Sequence, residues 1–165
     1  MILKAGDLFK KHPALVMAIR RPGCILCRQE AASLSTLKPI LDKSGICLYG
    51  VIHEIEGVEG FKPYFTGEIY YDEEKRFYGP KERWLPLWIG FLRPSLYFRY
   101  QNAKKKGVIG NIEGEGRLLG GIFLIHKDRL AYAHFEEDWG DAADLDEVLK
   151  AIEEYKKNVN GYICK

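Results

Sequence analysis

A short apolar run leading directly into two closely spaced cysteines constrains this chain more than any other feature. Ala14-Leu15-Val16-Met17-Ala18-Ile19 is uninterrupted by polar residues, with Pro13 before it and Arg20-Arg21-Pro22-Gly23 after it. A run that is apolar at every position suits a strand buried on both faces. Cys24-Ile25-Leu26-Cys27 follows at once, and then Ala31, Leu34, Leu37 and Leu41 recur at helical spacing. Pro39 predicts a kink near the end of that helix, and Gly45 its stop. Ile46-Cys47-Leu48-Tyr49-Gly50-Val51-Ile52 reads as a second buried strand. Strand, cysteine turn, helix and strand in that order form a crossover unit, and such units build parallel sheets.

The remainder is read around that unit. Lys4 to Lys11 reads as a short lead-in helix. Residues 54–66, acidic and Gly-rich, predict a short helix, and Glu68-Ile69-Tyr70-Tyr71 a short strand before a charged turn. Phe77-Tyr78-Gly79-Pro80 leads into an expected aromatic helical region through Tyr100, and a Gly- and Lys-rich loop follows over residues 102–119. Gly120-Gly121-Ile122-Phe123-Leu124-Ile125-His126 is a third strong strand. Leu130 to Phe135 alternates and reads as its hairpin partner across Lys127-Asp128-Arg129. Asp144 caps a final helix from Leu145 to about Lys157, and residues 158–165 are expected as a loose tail. This order is that of an α/β thioredoxin-like fold: a central mixed sheet flanked by helices, one domain over 1–165, with an insertion between its two halves.

Size and charge narrow the function. A chain of 165 residues with 47% apolar and 29% charged residues is globular and large enough for one core. A net charge of +2, from 25 basic and 23 acidic residues, gives no reason to expect nucleic acid as the partner. The most apolar stretch, Trp84 to Phe98, contains Pro86, Arg93 and Pro94 and is shorter than the roughly 20 residues a membrane span needs. The N-terminus, Met1-Ile2-Leu3-Lys4-Ala5-Gly6-Asp7, has no long apolar run after a basic start. The expectation is therefore a cytoplasmic protein with no transmembrane segment in this chain, although loss of an N-terminal anchor would leave the same sequence.

Cys24 and Cys27 are the chemical candidates. The thiolate is the attacking form, and an unperturbed thiol has a pKa of about 8.5, so a reactive cysteine needs help to ionise. The N-terminus of the following helix favours an anion there. Arg20, Arg21 and Arg28 are neighbours with no acid between them, and Arg21 and Arg28 are taken as the thiolate-supporting pair. A two-residue spacer lets one sulfur attack and the other resolve the mixed disulfide. A zinc half-site would need a second Cys or His pair, and none has the spacing; no metal is implied. In thioredoxin-like proteins the first cysteine attacks, which assigns Cys24 as attacker and Cys27 as resolver.

Several stretches together resemble the peroxiredoxin-like 2 family, closest to its A-type members. They are Ala18 to Arg28 (AIRRPGCILCR), Glu30 to Leu34 (EAASL), Pro63 to Ile69 (PYFTGEI), Phe77 to Pro80 (FYGP), Gly110 to Gly116 (GNIEGEG) and Leu119 to Phe123 (LGGIF). The resemblance runs from about residue 4 to about residue 155. It implies a peroxiredoxin-like fold and an intracellular antioxidant, redox-regulatory protein with the cysteine pair as its redox-active centre. A related branch is similar to reductases of endoperoxide lipids that make F-type prostaglandins and prostamides. Peroxiredoxins proper place a Thr shortly before the attacking Cys and an Arg before a late core strand. Here no Thr lies near Cys24, and Gly120-Gly121 stands at the second place, which weighs against fast peroxidase activity. Arg117 is a substitute close by in sequence. Glu30, Leu34 and Gly45 follow Cys27 at the spacings seen after a peroxidatic cysteine, which keeps Cys27 open as the attacker.

The implied reaction is reduction of a hydroperoxide, an endoperoxide lipid or a protein disulfide by the dithiol. No cofactor is bound, and a thioredoxin or glutathione system supplies the electrons. The alternative is a redox-sensing regulatory binding module with little turnover. Gly120 and Gly121 are expected to form a substrate-side loop. The aromatic stretch reads as a helix covering the sheet, or otherwise as an apolar groove for a lipid-like substrate or partner. His53-Glu54 reads as an exposed loop pair rather than an acid–base pair, His126 and His134 as structural, Cys47 as a small core residue and Cys164 as an exposed thiol.

Overall fold

A computed structural model of the chain describes residues 4–163 except 87 and 89–91. Cys164, and Leu87 and Phe91 of the aromatic stretch, lie outside the described residues. β1 (Ala14–Ile19) is buried at all six positions and forms the centre of a five-stranded sheet. β2 (Cys47–Ile52) pairs with it in parallel, and β3 (Glu68–Tyr71) continues in parallel on the outer side of β2. β4 (Gly121–His126) and β5 (Arg129–Phe135) form an antiparallel hairpin that docks antiparallel on the other edge of β1. The strand order is β3-β2-β1-β4-β5, a mixed sheet of thioredoxin-like type.

Alternation along β1 splits the core in two. Leu15, Met17 and Ile19 face α1 (Ile25–Ser35), with Leu26, Ala31 and Leu34, and α5 (Leu145–Ile163), with Val148 and Ile152. Ala14, Val16 and Ala18 face Phe9, Tyr78, Leu118 and Phe123. That second face is covered thinly, by 3-10 turns at Ala5–Phe9 and Arg76–Tyr78. The Tyr78 hydroxyl donates to the carbonyls of Ile19 and Val51 at 2.8 and 3.0 Å, tying the ends of β1 and β2 together.

Some expectations change in detail. The lead-in segment is a 3-10 turn. The first helix does not kink but breaks: it ends at Ser35, and Pro39 sits in the first turn of a separate α2 (Lys38–Lys43), where its missing N–H leaves no bond unmade. Gly45 takes φ +65 as α2 ends, and Ile46 N–H reaches back to Leu41 O at 2.9 Å. The acidic segment carries α3 (Val58–Phe61). The described residues between Pro80 and Tyr100 do not form one continuous helix. α4 is Pro94–Lys105, because a proline cannot continue a helix and holds the residue before it extended; Arg93 has φ −96 and ψ 113. α4 packs chiefly on α1. Asp144 caps α5, its Oδ1 accepting from Asp146 N–H at 2.8 Å, and the helix continues to Ile163, into the segment expected as tail. Among the described residues, no helix is long and apolar enough to cross a membrane.

Candidate active site

The cysteine turn forms because β1 ends where the chain must reverse. Cys24 N–H donates to Arg21 O at 3.0 Å, closing the Arg21-Pro22-Gly23-Cys24 turn, and Cys24 becomes the N-cap of α1 with extended φ −70 and ψ 127. Cys27 falls in the first helical turn. Both thiols are free and almost fully buried, at 5% and 2% exposure, so neither ionises without an internal partner.

The partner is Arg20. Its Nη2 donates to Cys24 Sγ at 2.8 Å, its Nη1 to Gly116 O at 2.9 Å, and its Nε lies 4.0 Å from Glu136 Oε2. Burial opposes the charge on Arg20, but the two sulfurs and Glu136 outweigh burial and hold it protonated. The two thiols are pushed apart. A hydrogen bond from Cys27, together with Arg20 and more weakly Arg21, draws Cys24 well below the ordinary thiol range against the opposing effect of burial. The same bond, with burial, raises Cys27. Cys24 is therefore the thiol that ionises first.

Three buried acidic or phenolic groups complete the surroundings. Glu136 Oε2 accepts from Gly120 N–H at 2.8 Å and is raised by burial. Tyr78 is raised well above its usual range by burial. Glu30, on the turn of α1 after Cys27, accepts from Ala143 N–H at 3.1 Å and is pushed up to about 8 by burial and by Glu136. In its native environment Glu30 therefore holds its proton more tightly than in the unfolded chain. Its contribution to stability is present below the ordinary value of 4.5 and is lost as pH rises through about 8. Glu30→Gln is expected to flatten this fall, read as urea midpoints between about pH 5 and about pH 8. An unchanged slope would remove Glu30 from the account.

A cavity of about 930 Å³ lies beside the cysteine turn; Cys24 lines it and Cys27 does not. One wall is α1 and α4, with Ile25, Leu96, Tyr97 and Tyr100. The other is the segment Val108 to Arg117. That segment is fastened to the cysteine turn. Asn111 N–H donates to Gly23 O at 2.7 Å, Arg21 donates to the carbonyls of Ile112 and Asn111 at 3.1 and 3.2 Å, and Arg28 Nη1 donates to Ile109 O at 2.6 Å. Gly110 passes so close that a Cβ there would stand 2.6 Å from Ile25 N.

Some expected site residues have other tasks. Arg28 does not support the thiolate: its guanidinium donates to the carbonyls of Pro22, Ile109 and Gly57. Successive residues point about 100° apart around a helix, so the neighbour of Cys27 in sequence is not its neighbour in space. Arg20, one charge among three in the sequence, takes that role. Arg117 does not substitute for a missing arginine; it pairs with Glu115 at 2.7 Å on the rim. Gly120 and Gly121 do not form a substrate-side loop. A Cβ on Gly120 would stand 1.9 Å from Ala18 O and one on Gly121 2.5 Å from His134 O, so these glycines allow strand and backbone to pack. His53 is not in an exposed pair: its Nε2 donates to Arg20 O at 2.9 Å and its ring packs edge-on against Tyr78, while Glu54 accepts from Glu115 N–H. His134 Nε2 donates to Asp141 O, His126 Nδ1 lies 2.7 Å from the Tyr155 hydroxyl, and Cys47 packs half-buried against the second core cluster.

The AhpC/TSA antioxidant enzyme family profile matches residues 33–138, a span that begins after the cysteine turn. Peroxiredoxin-like 2A of Homo sapiens is 45% identical over 157 residues, covering 93% of this chain and 68% of that protein. Peroxiredoxin-like 2A of Xenopus tropicalis is 46% identical over 158 residues, covering 93% and 69%. Among solved structures, Enterococcus faecalis AhpC superposes with a TM-score of 0.60 at 9% identity, covering 93% of this chain and 80% of that one. A yeast mitochondrial 1-Cys peroxiredoxin, studied for thiol resolution via glutathione/thioredoxin systems, superposes with a TM-score of 0.59 at 17% identity, covering 94% and 68%. At those identities the structures speak to the fold, which is that of the peroxiredoxins.

Proposed function

The chain belongs to the AhpC/TSA antioxidant enzyme family, and within it to the peroxiredoxin-like 2A proteins, and we propose that it is a thiol reductase cycling between a Cys24/Cys27 dithiol and a Cys24–Cys27 disulfide. The observation that carries this reading is the placement of Cys24: at the head of α1, 2.8 Å from the Arg20 guanidinium, on the wall of a cavity that Cys27 does not reach. With a hydroperoxide, the Cys24 thiolate attacks the outer oxygen. The O–O bond breaks, the alkoxide leaves and takes up a proton as the alcohol, and Cys24 becomes a sulfenic acid. Cys27 then attacks the Cys24 sulfur, its proton joins the departing hydroxide as water, and the disulfide forms. A dithiol of the thioredoxin class, or glutathione, returns the two electrons by thiol–disulfide exchange. The largely apolar walls favour an organic hydroperoxide or endoperoxide lipid over hydrogen peroxide or a protein disulfide. No bound cofactor enters the cycle.

The ultraviolet absorbance of thiolate, followed against pH in the wild type and in Cys24→Ser and Cys27→Ser, tests this reading. One thiol is expected to titrate well below about 8.5 and to vanish in Cys24→Ser. If the low titration survives in Cys24→Ser, Cys27 is the nucleophile; if neither thiol titrates low, the pair is not activated. The near-complete burial of both sulfurs favours a second reading, a redox sensor that oxidises once per molecule. Many turnovers per molecule with a thioredoxin system would exclude it.

A further inference from the structure

The cavity beside Cys24 opens on a face whose composition the thiol chemistry does not require. Tyr97, Phe98, Ile109 and Ile112 are between 63% and 91% exposed. Tyr97, Ile109 and Ile112 line the cavity itself, and the Phe98 ring meets that of Tyr97 edge-on at 6.0 Å. Large apolar side chains gathered in one place mark a surface that meets something, whereas single ones do not. α4 buries only Ala103 fully, with Leu96 packed against the core, and leaves its outer side in solvent.

Charge says what that surface meets. Residues 92–112 contain Arg93, Arg99, Lys104, Lys105 and Lys106 and no acid, a net of +5; the whole chain carries +2, so the rest of the chain carries −3. Arg93 and Arg99 are held by Asp138 at 3.0 and 3.6 Å. The three lysines have no ion-pair partner among the described residues, and Lys104 lies over the Tyr100 ring at 5.2 Å. Aromatic and aliphatic tips flanked by free lysines are the composition of a surface that settles at a bilayer interface. Interfaces with proteins are depleted of lysine.

We propose that this face docks on an anionic lipid bilayer, with Phe98 and Ile112 entering the interface and Lys104 to Lys106 against the headgroups, so that the mouth of the cavity opens towards the membrane. The docking stands apart from the thiol chemistry; only its use, delivery of an apolar peroxide to Cys24 without passage through water, rests on the reductase reading.

The intact chain is sedimented with vesicles of equal parts phosphatidylcholine and phosphatidylserine, and with phosphatidylcholine alone. It is expected to pellet with the first and not the second, and to be released by high salt. Replacing all three lysines by alanine should weaken binding roughly a hundredfold, about fivefold for each. Phe98→Ser and Ile112→Ser should each weaken it roughly tenfold. Leu130→Ser should bind as the wild type does, because Leu130 is exposed at the opposite end of the sheet, beside Ile125, which pairs with Ala14. Protein that stays in the supernatant with both vesicles, or a triple variant that pellets as well as the wild type, overturns the proposal and leaves the face as a surface for a protein. Peroxide turnover is read separately without vesicles. Turnover lost with binding kept defeats the reductase reading alone, and the reverse defeats the docking alone.

Discussion

Cys24→Ser is expected to lower peroxide turnover with a thioredoxin system by roughly a thousandfold or more, because a serine hydroxyl at this site has no accessible anion to attack with. Cys27→Ser is expected to fail differently. Cys24 still lies beside Arg20 and on the cavity wall, so one equivalent of peroxide is consumed per molecule. The sulfenic acid then has no resolving thiol and persists or oxidises further. The serine hydroxyl still donates a hydrogen bond towards the Cys24 sulfur, so Cys24 keeps its lowered pKa and this single turnover runs at neutral pH as the first turnover of the wild type does. Cys47→Ser, at a half-buried position packed against the second core cluster, serves as the comparison and should keep full turnover. Equal losses in all three variants would show that the effects come from folding and not from chemistry. A burst of one equivalent in Cys24→Ser and none in Cys27→Ser would reverse the two roles.

Arg20→Leu is expected to cost both stability and reactivity. Arg20 and Glu136 are 3% and 4% exposed, and removing one partner leaves the other buried without compensation, a loss of about 3–5 kcal/mol. The Cys24 thiolate loses its guanidinium donor at the same time, and each unit by which its pKa rises removes about tenfold of the anion at a pH below that pKa. The double variant Arg20→Leu/Glu136→Leu separates the two effects. A buried ion pair exchanged for apolar side chains is often neutral for stability, so the urea midpoint should return towards the wild type while the thiolate titration stays high. If the single variant keeps a low thiolate pKa, the hydrogen bond from Cys27 and the other surroundings activate Cys24 without Arg20, and Arg20 is structural.

The parts of this protein readable in its sequence are those held by neighbours in the chain. β1, the cysteine turn, α1 and β2 carry periodicity and stop signals within a few residues of where they act, as do the β4–β5 hairpin and the Asp144 cap. The insertion is different. Among the described residues, 76–120 contribute few core positions, and Tyr78, the largest of those fully buried, is held by carbonyls of Ile19 and Val51 that no local pattern announces. The cysteines were readable because their spacing is local. The Arg20–Glu136 pair was not, because a charge at the end of β1 and one just after β5 meet only when β4 has docked on β1. Arg28 misled for the opposite reason: it is close in sequence to both cysteines, and the helix turns it away towards Pro22, Gly57 and Ile109.

The arginines around the cysteine turn have one more effect, on motion. Arg20, Arg21 and Arg28 each hold a carbonyl of the segment from Ile109 to Gly116, and Asn111 is held by Gly23 in return. The wall of the cavity and the turn that carries the sulfurs are therefore fastened together as one hydrogen-bonded unit. In the cycle proposed above, a partner that reduces a buried Cys24–Cys27 disulfide has to part the same segment that walls the substrate cavity. Under that reading both half-reactions share one gate, and its opening frequency sets an upper limit on the cycle however fast the sulfur chemistry runs.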